Sequence, residues 1–152
     1  MAFTGVNYGG PQFNTGTDQS VRITRNDTNA QVVLGGSIDT MNVVPKYTTE
    51  MTNSIEDARV YHKAIPQGFE GTITVNRYNS DFETFIKELN ARFYSKLPNI
   101  ACTIVQTINN GFDNTQTQNT YTQCAIYPTD LGQFSTTKKV DVKISFSATE
   151  ML

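Results

Sequence analysis

Few side chains in this 152-residue sequence are of types that carry chemistry, and their spacing argues against most of it. His62 is the single imidazole, so no multi-histidine metal site can be built. Cys102 and Cys124 stand too far apart for a CxxC metal or redox motif. A Cys–His nucleophilic pair would need a third group to orient the base, and none is suggested. Both cysteines lie in strand-like runs, where a free Cys behaves as a small buried hydrophobe. His62 is then left for a structural hydrogen bond or an interface. Glu56-Asp57 sits in a polar, turn-prone stretch and reads as a solvated pair rather than half of an acid–base site. The glycines follow neither GxGxxG nor GxxxxGK[ST] spacing, so no phosphate cradle is expected. The expectation is a protein that is not an enzyme and that uses no metal and no cofactor.

The elements that would position any site are mostly strands. Thr, Asn, Gln and Ser make up about a third of the chain, and charged residues only 17%. Thr is β-branched and suits a pleated sheet, while sparse charge leaves sheet edges free to pair. Val21–Thr24 and Gln31–Leu34 form a predicted hairpin around Asn26-Asp27-Thr28-Asn29, closed by Gly35-Gly36. Residues 37–67 are weakly patterned, with Val43-Val44 stopped by Pro45, and read as a long connection of about 25 residues, a length that is commonly functional. In Thr72–Tyr78, Ile73, Val75 and Arg77 share one face and Thr72, Thr74 and Asn76 the other.

Ser80-Asp81-Phe82-Glu83 matches a capping box. Phe82, Phe85, Ile86, Leu89 and Phe93 then fall on one helical stripe, so a single helix of about 15 residues is predicted, closed by Pro98. Three further strands follow, at Ala101–Ile108, Thr120–Tyr127 and Val140–Ala148, the first two joined by a turn carrying Asn109-Asn110-Gly111. In the last strand Val142, Ile144 and Phe146 face one way and Asp141, Lys143 and Ser145 the other. The expected fold is mostly β with one α-helix: a β-sandwich or open barrel.

Twelve Lys+Arg against fourteen Asp+Glu give a formal charge of −2, with no basic run beyond Lys138-Lys139, which disfavours a nucleic-acid-gripping surface. No stretch reaches the roughly 18 apolar residues of a membrane span, so no direct membrane insertion is expected. The opening MAFTGVNYGG lacks the basic and apolar regions of a signal peptide.

Two segments carry a resemblance. His62-x-x-x-Pro66-x-Gly68-x-x-Gly71-x-Ile73-x-Val75-x-Arg77 precedes the helix, and Asp141-Val142-Lys143-Ile144-Ser145-Phe146-Ser147-Ala148 closes the chain. Between them lie Asn109-Asn110-Gly111 and Tyr127-Pro128-Thr129-Asp130-Leu131-Gly132. In this order, over roughly residues 37–150, the chain resembles bacteriophage tail tube proteins, the major subunit of the inner tail tube. The resemblance implies hexameric rings whose strands pair with those of neighbours into one ring-shaped inner β-barrel. The rings stack into a conduit for DNA ejected into the host.

It also implies the partners and place: other copies of the chain, sheath, baseplate and tail-terminator proteins, DNA that passes without specific binding, and a virion tail assembled in the host cytoplasm. On this reading residues 1–152 form one tail-tube-like domain, with a flexible N-terminal arm at 1–20 and a long inter-subunit loop at 40–66. Val44, Tyr47, Met51 and Ile55 are the expected apolar anchors between subunits, and Thr72, Thr74 and Asn76 the expected lumen-facing residues. A bore that conducts DNA should be neutral or acidic, since each lumenal cation would hold phosphate. Two alternatives stand beside it. One is the tube subunit of a bacterial contractile injection or secretion system, the haemolysin-coregulated-protein type. The other is a small β-sandwich module binding carbohydrate or another surface ligand, for which the seven Tyr would supply a platform although Trp is absent.

Overall fold

The computed structural model describes residues 19–152. Residues 1–18 of the expected arm lie outside the described residues, while Gln19 and Ser20 open the first strand. The described chain runs β1 (Gln19–Arg25), β2 (Gly36–Asn53), β3 (Val60–Arg77), α1 (Asp81–Tyr94), β4 (Cys102–Asn110), β5 (Thr115–Asp130), β6 (Asp141–Ala148) and β7 (Glu150–Met151). Every strand pairing is antiparallel, along the path β1-β4-β5-β6-β3-β2, with β7 on β5.

β5 serves both halves of this path. Its first part pairs with β4 and β7, and from Ala125 onward it pairs with β6. The change falls at a bulge between Tyr121 and Cys124, where Gln123 adopts φ 52°. An extra residue in one strand bends it and raises its twist. The bend folds the path back over a single core: Ile23, Cys102, Ile104, Tyr121 and Cys124 from one sheet meet Ile73, Val75, Val142, Ile144 and Phe146 from the other. The Tyr121 ring links the layers, 6.0 Å from Phe146 and 5.9 Å from Phe69. Over the described residues the architecture is thus mostly β with one helix and an open, unclosed sheet, as expected.

The predicted facing of β6 holds, with Val142, Ile144 and Phe146 all buried. Helix α1 adds Phe82, Phe85 and Ile86 to the core. Phe93 does not join them and is 64% exposed. Burial fades along the helix through half-buried Leu89, so its last turn runs past the layer beneath. The capping box also fails to form. Asn79, not Ser80, accepts the Asp81 amide through its side chain at 3.0 Å, and Glu83 accepts from Arg77 Nε at 2.9 Å. The stronger offer for the Glu83 carboxylate is a guanidinium rather than a backbone amide.

Arg25 ties the helix to β1, bonding both oxygens of Glu88 at 2.9 Å and both of Asp27 at 3.0 and 2.8 Å. These bonds hold the Asp27 and Glu88 carboxyls below the usual range.

Two further expectations change. The turn at Asn26–Asn29 forms, with Asn29 at φ 56°, but its return leg makes only a single bridge, Thr24 to Gln31, before the chain leaves with Val32 buried. Residues 40–66 are not a loop. Residues 40–53 and 60–66 belong to β2 and β3, which pair from Gly36↔Arg77 out to Asn53↔Val60, and only 54–59 form the connecting turn. Pro45 does not stop the strand because β2 is an edge strand, and a register shift falls beside Pro45, where a missing N–H costs no ladder bond.

Candidate assembly surface

The β2–β3 hairpin has two parts. Near the body, Met41 and Val43 are half-buried against the core, opposite Ile73 and Gly71. Gly71 allows the close fit, since a Cβ there would stand 2.4 Å from the Phe146 ring. Beyond Pro45, every residue of β2 is exposed. The two arms, 46–53 and 60–66, therefore form a two-stranded ribbon about 25 Å long, at about 3.3 Å per residue. It leaves the body at the register shift between Pro45 and Tyr47, where Gly68 takes φ +92° and lies so close to Ala148 that a Cβ would be 2.6 Å from its carbonyl oxygen.

Alternation gives the ribbon two unlike faces. Tyr47, Thr49 and Met51 continue the side on which Met41 and Val43 meet the core, and across from them lie Pro66, Ala64 and His62. The opposite face carries Thr48, Glu50 and Thr52 against Ile65, Lys63 and Tyr61. An apolar stripe that is covered in the body thus continues outward without cover, with Met51 70% exposed. At the tip Asp57 accepts hydrogen bonds from the Tyr61 hydroxyl and, at 3.0 Å, from the Arg59 amide. Those bonds hold its carboxyl below the ordinary range and raise the Tyr61 hydroxyl. Asp57 is thus spent on shaping the turn. His62 is exposed, level with Met51 in the ribbon.

The four expected anchors separate into three places. Tyr47 and Met51 share the ribbon's apolar face. Ile55 lies in the connecting turn, fully exposed at 101%. Val44 sits nearer the body, exposed on the opposite side of the sheet beside Glu70. Phe93, Tyr94 and Leu97, exposed at the end of α1, were not among the expected anchors. Strand-like pairing of polar sequences gave no apolar period to find the ribbon by.

Thr72, Thr74 and Asn76 lie together on the outward face of the sheet, half-buried. Their cross-strand neighbours are Asn42 and Ser145, Thr40 and Lys143, and Ser37 and Asp141. Charges of both signs surround them: Lys46 pairs with Glu70 at 2.5 Å, and Lys139 stands 4.0 Å from both Asp39 and Asp141. The face is polar and close to charge-balanced. At the end of the sheet path, β2 pairs only with β3 among the described residues, which leaves an edge of 18 residues that no other described strand covers. Such an edge is a template for pairing with another chain.

Among the described residues there is no group of three or more His, Cys, Asp or Glu placed to hold a metal, and no helix is long and apolar enough to cross a membrane.

No family model matches the chain, and no curated protein matches it in sequence. In fold it is similar to chains of contractile injection assemblies. A chain in the tube-terminating cap of the anti-feeding prophage matches with a TM-score of 0.61 at 11% identity, over 100% of this chain and 97% of that one. A chain in the extended sheath–tube complex of the PVC extracellular contractile injection system matches with a TM-score of 0.58 at 11% identity, covering 97% and 93%. A chain in the extended PVC sheath/tube terminator structure gives 0.57 at 10%, covering 97% of each. At these identities the likeness is one of fold, and it spans the chain nearly end to end.

Proposed function

We propose that this chain is a non-enzymatic structural subunit of the tube of a contractile injection apparatus, one that associates with copies of itself into rings stacked as a hollow conduit. The observation that carries this reading is the uncovered apolar face of the β2–β3 ribbon. A two-stranded ribbon standing alone is marginally stable in water, so its persistence calls for a partner. The near full-length likeness to chains of contractile injection assemblies supports the same reading.

In the assembled ring, the ribbon lies on a neighbouring subunit through Tyr47 and Met51, with Ile55 reaching further and Val44 contributing from the other side. The open edge of β2 pairs with a neighbour's strand. A head-to-tail contact of this kind closes into a ring, as heterologous interfaces do when the rotation closes. Six-fold rings follow from the tail-tube resemblance. Thr72, Thr74 and Asn76 face the bore, where a charge-balanced polar wall lets cargo slide without being held. Sheath, baseplate and terminator proteins are the partners outside the tube, and the particle is its location. Conduction of a phage genome into a host is the narrower form of this reading, favoured by the tail-tube resemblance and by the lack of a cationic run.

Electron microscopy of the purified protein over a concentration series tests it, with mass in solution measured alongside. Rings or tubes of uniform bore are expected, either directly or on addition of preformed tube ends. A protein that stays monomeric under both conditions overturns the tube reading and moves the β-sandwich binding module forward.

A further inference from the structure

Cys102 and Cys124 are direct partners across β4 and β5, and both are 0% exposed. Their facing depends on the bulge. Tyr121 and Cys124 stand three apart, and strict alternation would put them on opposite sides of β5. The extra residue, with Gln123 at φ 52°, turns Cys124 back to the core side that Tyr121 and Cys102 share. A residue in the left-handed region without being glycine is uncommon, and here it brings both cysteines to the same core face as register partners.

From this geometry we infer that Cys102 and Cys124 are a dithiol couple that closes into an intramolecular disulfide under a small two-electron oxidant such as hydrogen peroxide. Two S–H bonds and the O–O bond break, one S–S bond forms, the sulfurs are oxidised, and the peroxide leaves as two waters. Directly opposed antiparallel residues hold their Cβ atoms about 4.5–5.5 Å apart, and a disulfide takes about 3.5–4.5 Å, so closure asks for a movement of about 1 Å. In the reduced state the Cys124 Sγ donates to the Tyr121 carbonyl at 3.3 Å. Burial pushes the Cys102 thiol up to about 11 and the Cys124 thiol up to about 12, so the couple reacts slowly. Closure would staple β4 to β5 at the corner where the two sheets join, and the protein's resistance to unfolding would then depend on redox conditions. None of this rests on the tube reading.

The experiment is intact-mass and thiol titration of the full chain before and after hydrogen peroxide, and after refolding with glutathione disulfide so that burial does not limit access. The expected product is a monomer that has lost two hydrogens and both titratable thiols, melts about 5–10 °C higher, and reverts with dithiothreitol. Cys102→Ala should abolish the reductant-sensitive rise in melting temperature. Two free thiols after oxidative refolding, a reductant-sensitive dimer, a glutathione adduct, or a rise that survives in Cys102→Ala would each overturn the couple.

Discussion

From Gly36 to Pro45, β2 lies on a sheet whose inner side is packed; from Lys46 to Asn53 the same strand, still paired with β3, is exposed throughout and has no described element beneath it. The backbone pairing is alike in the two regions. The side chains are not: Met41 and Val43 rest against the core, while Tyr47 and Met51, on the same side two turns of the pleat further on, meet solvent. Hydrogen-bond ladders alone therefore do not explain why the outer half holds its shape, because net hydrogen bonding contributes little beside burial. The difference between the halves is what a neighbouring subunit would remove.

The largest expected effect lies in the packed region. Phe146 is 1% exposed between the layers, so Phe146→Ala should lower stability by about 3–5 kcal/mol in urea unfolding. A loss below about 1 kcal/mol would mean that β6 does not present this face to the core. Next is the junction. Gly68→Ala places a methyl group against the Ala148 carbonyl at a φ that Ala rarely adopts, and a cost of about 1–3 kcal/mol is expected in thermal melting. An unchanged melting point would show that the ribbon's departure from the body is not fixed by that contact.

Smaller still is Arg25→Ala, which frees Asp27 and Glu88 and should cost about 1 kcal/mol or less near neutral pH. Both carboxyls are held low in the folded protein, so the stability they lend is present above the ordinary carboxylate value of about 4 and lost as pH falls through their folded values. Stability curves of the two proteins should differ at pH 6 and converge in acid. A gap that widens in acid would assign the coupling elsewhere. Tyr47→Asp with Met51→Asp should change monomer stability by no more than about 0.5 kcal/mol, as exposed positions do, yet abolish rings and tubes in sedimentation velocity. Normal assembly of that variant would take the ribbon out of the interface.

What could be read in the sequence follows the same divide. Strict alternation of Val142, Ile144 and Phe146 against Asp141, Lys143 and Ser145 reflects an apolar core face and a polar face, and both strand and facing were legible, although Ser145 on the polar face is itself buried. The helix was legible for the same reason up to Leu89, where its support ends. The ribbon was not, because Thr48-Thr49-Glu50-Met51-Thr52-Asn53 is exposed on both sides and imprints no period. Pro45 reinforced the error, since its tolerance on an edge strand depends on knowing which strand is the edge. Among the expected anchors, chemistry selected apolar residues in a polar stretch, but only the register places Tyr47 with Met51 and sends Val44 to the opposite side. The capping box failed because Arg77, six residues before Glu83, competes for the same carboxylate.

The most direct test of the two-part hairpin is amide hydrogen exchange, residue by residue, in the monomer and in assembled material. In the monomer, amides of 46–53 and 60–66 should exchange orders of magnitude faster than those of Ile73, Val75 and Ile144, and assembly should slow them towards core rates. Equal protection of ribbon and core in the monomer, or ribbon exchange unchanged on assembly, would contradict the claim that the outer hairpin is completed by a neighbouring subunit.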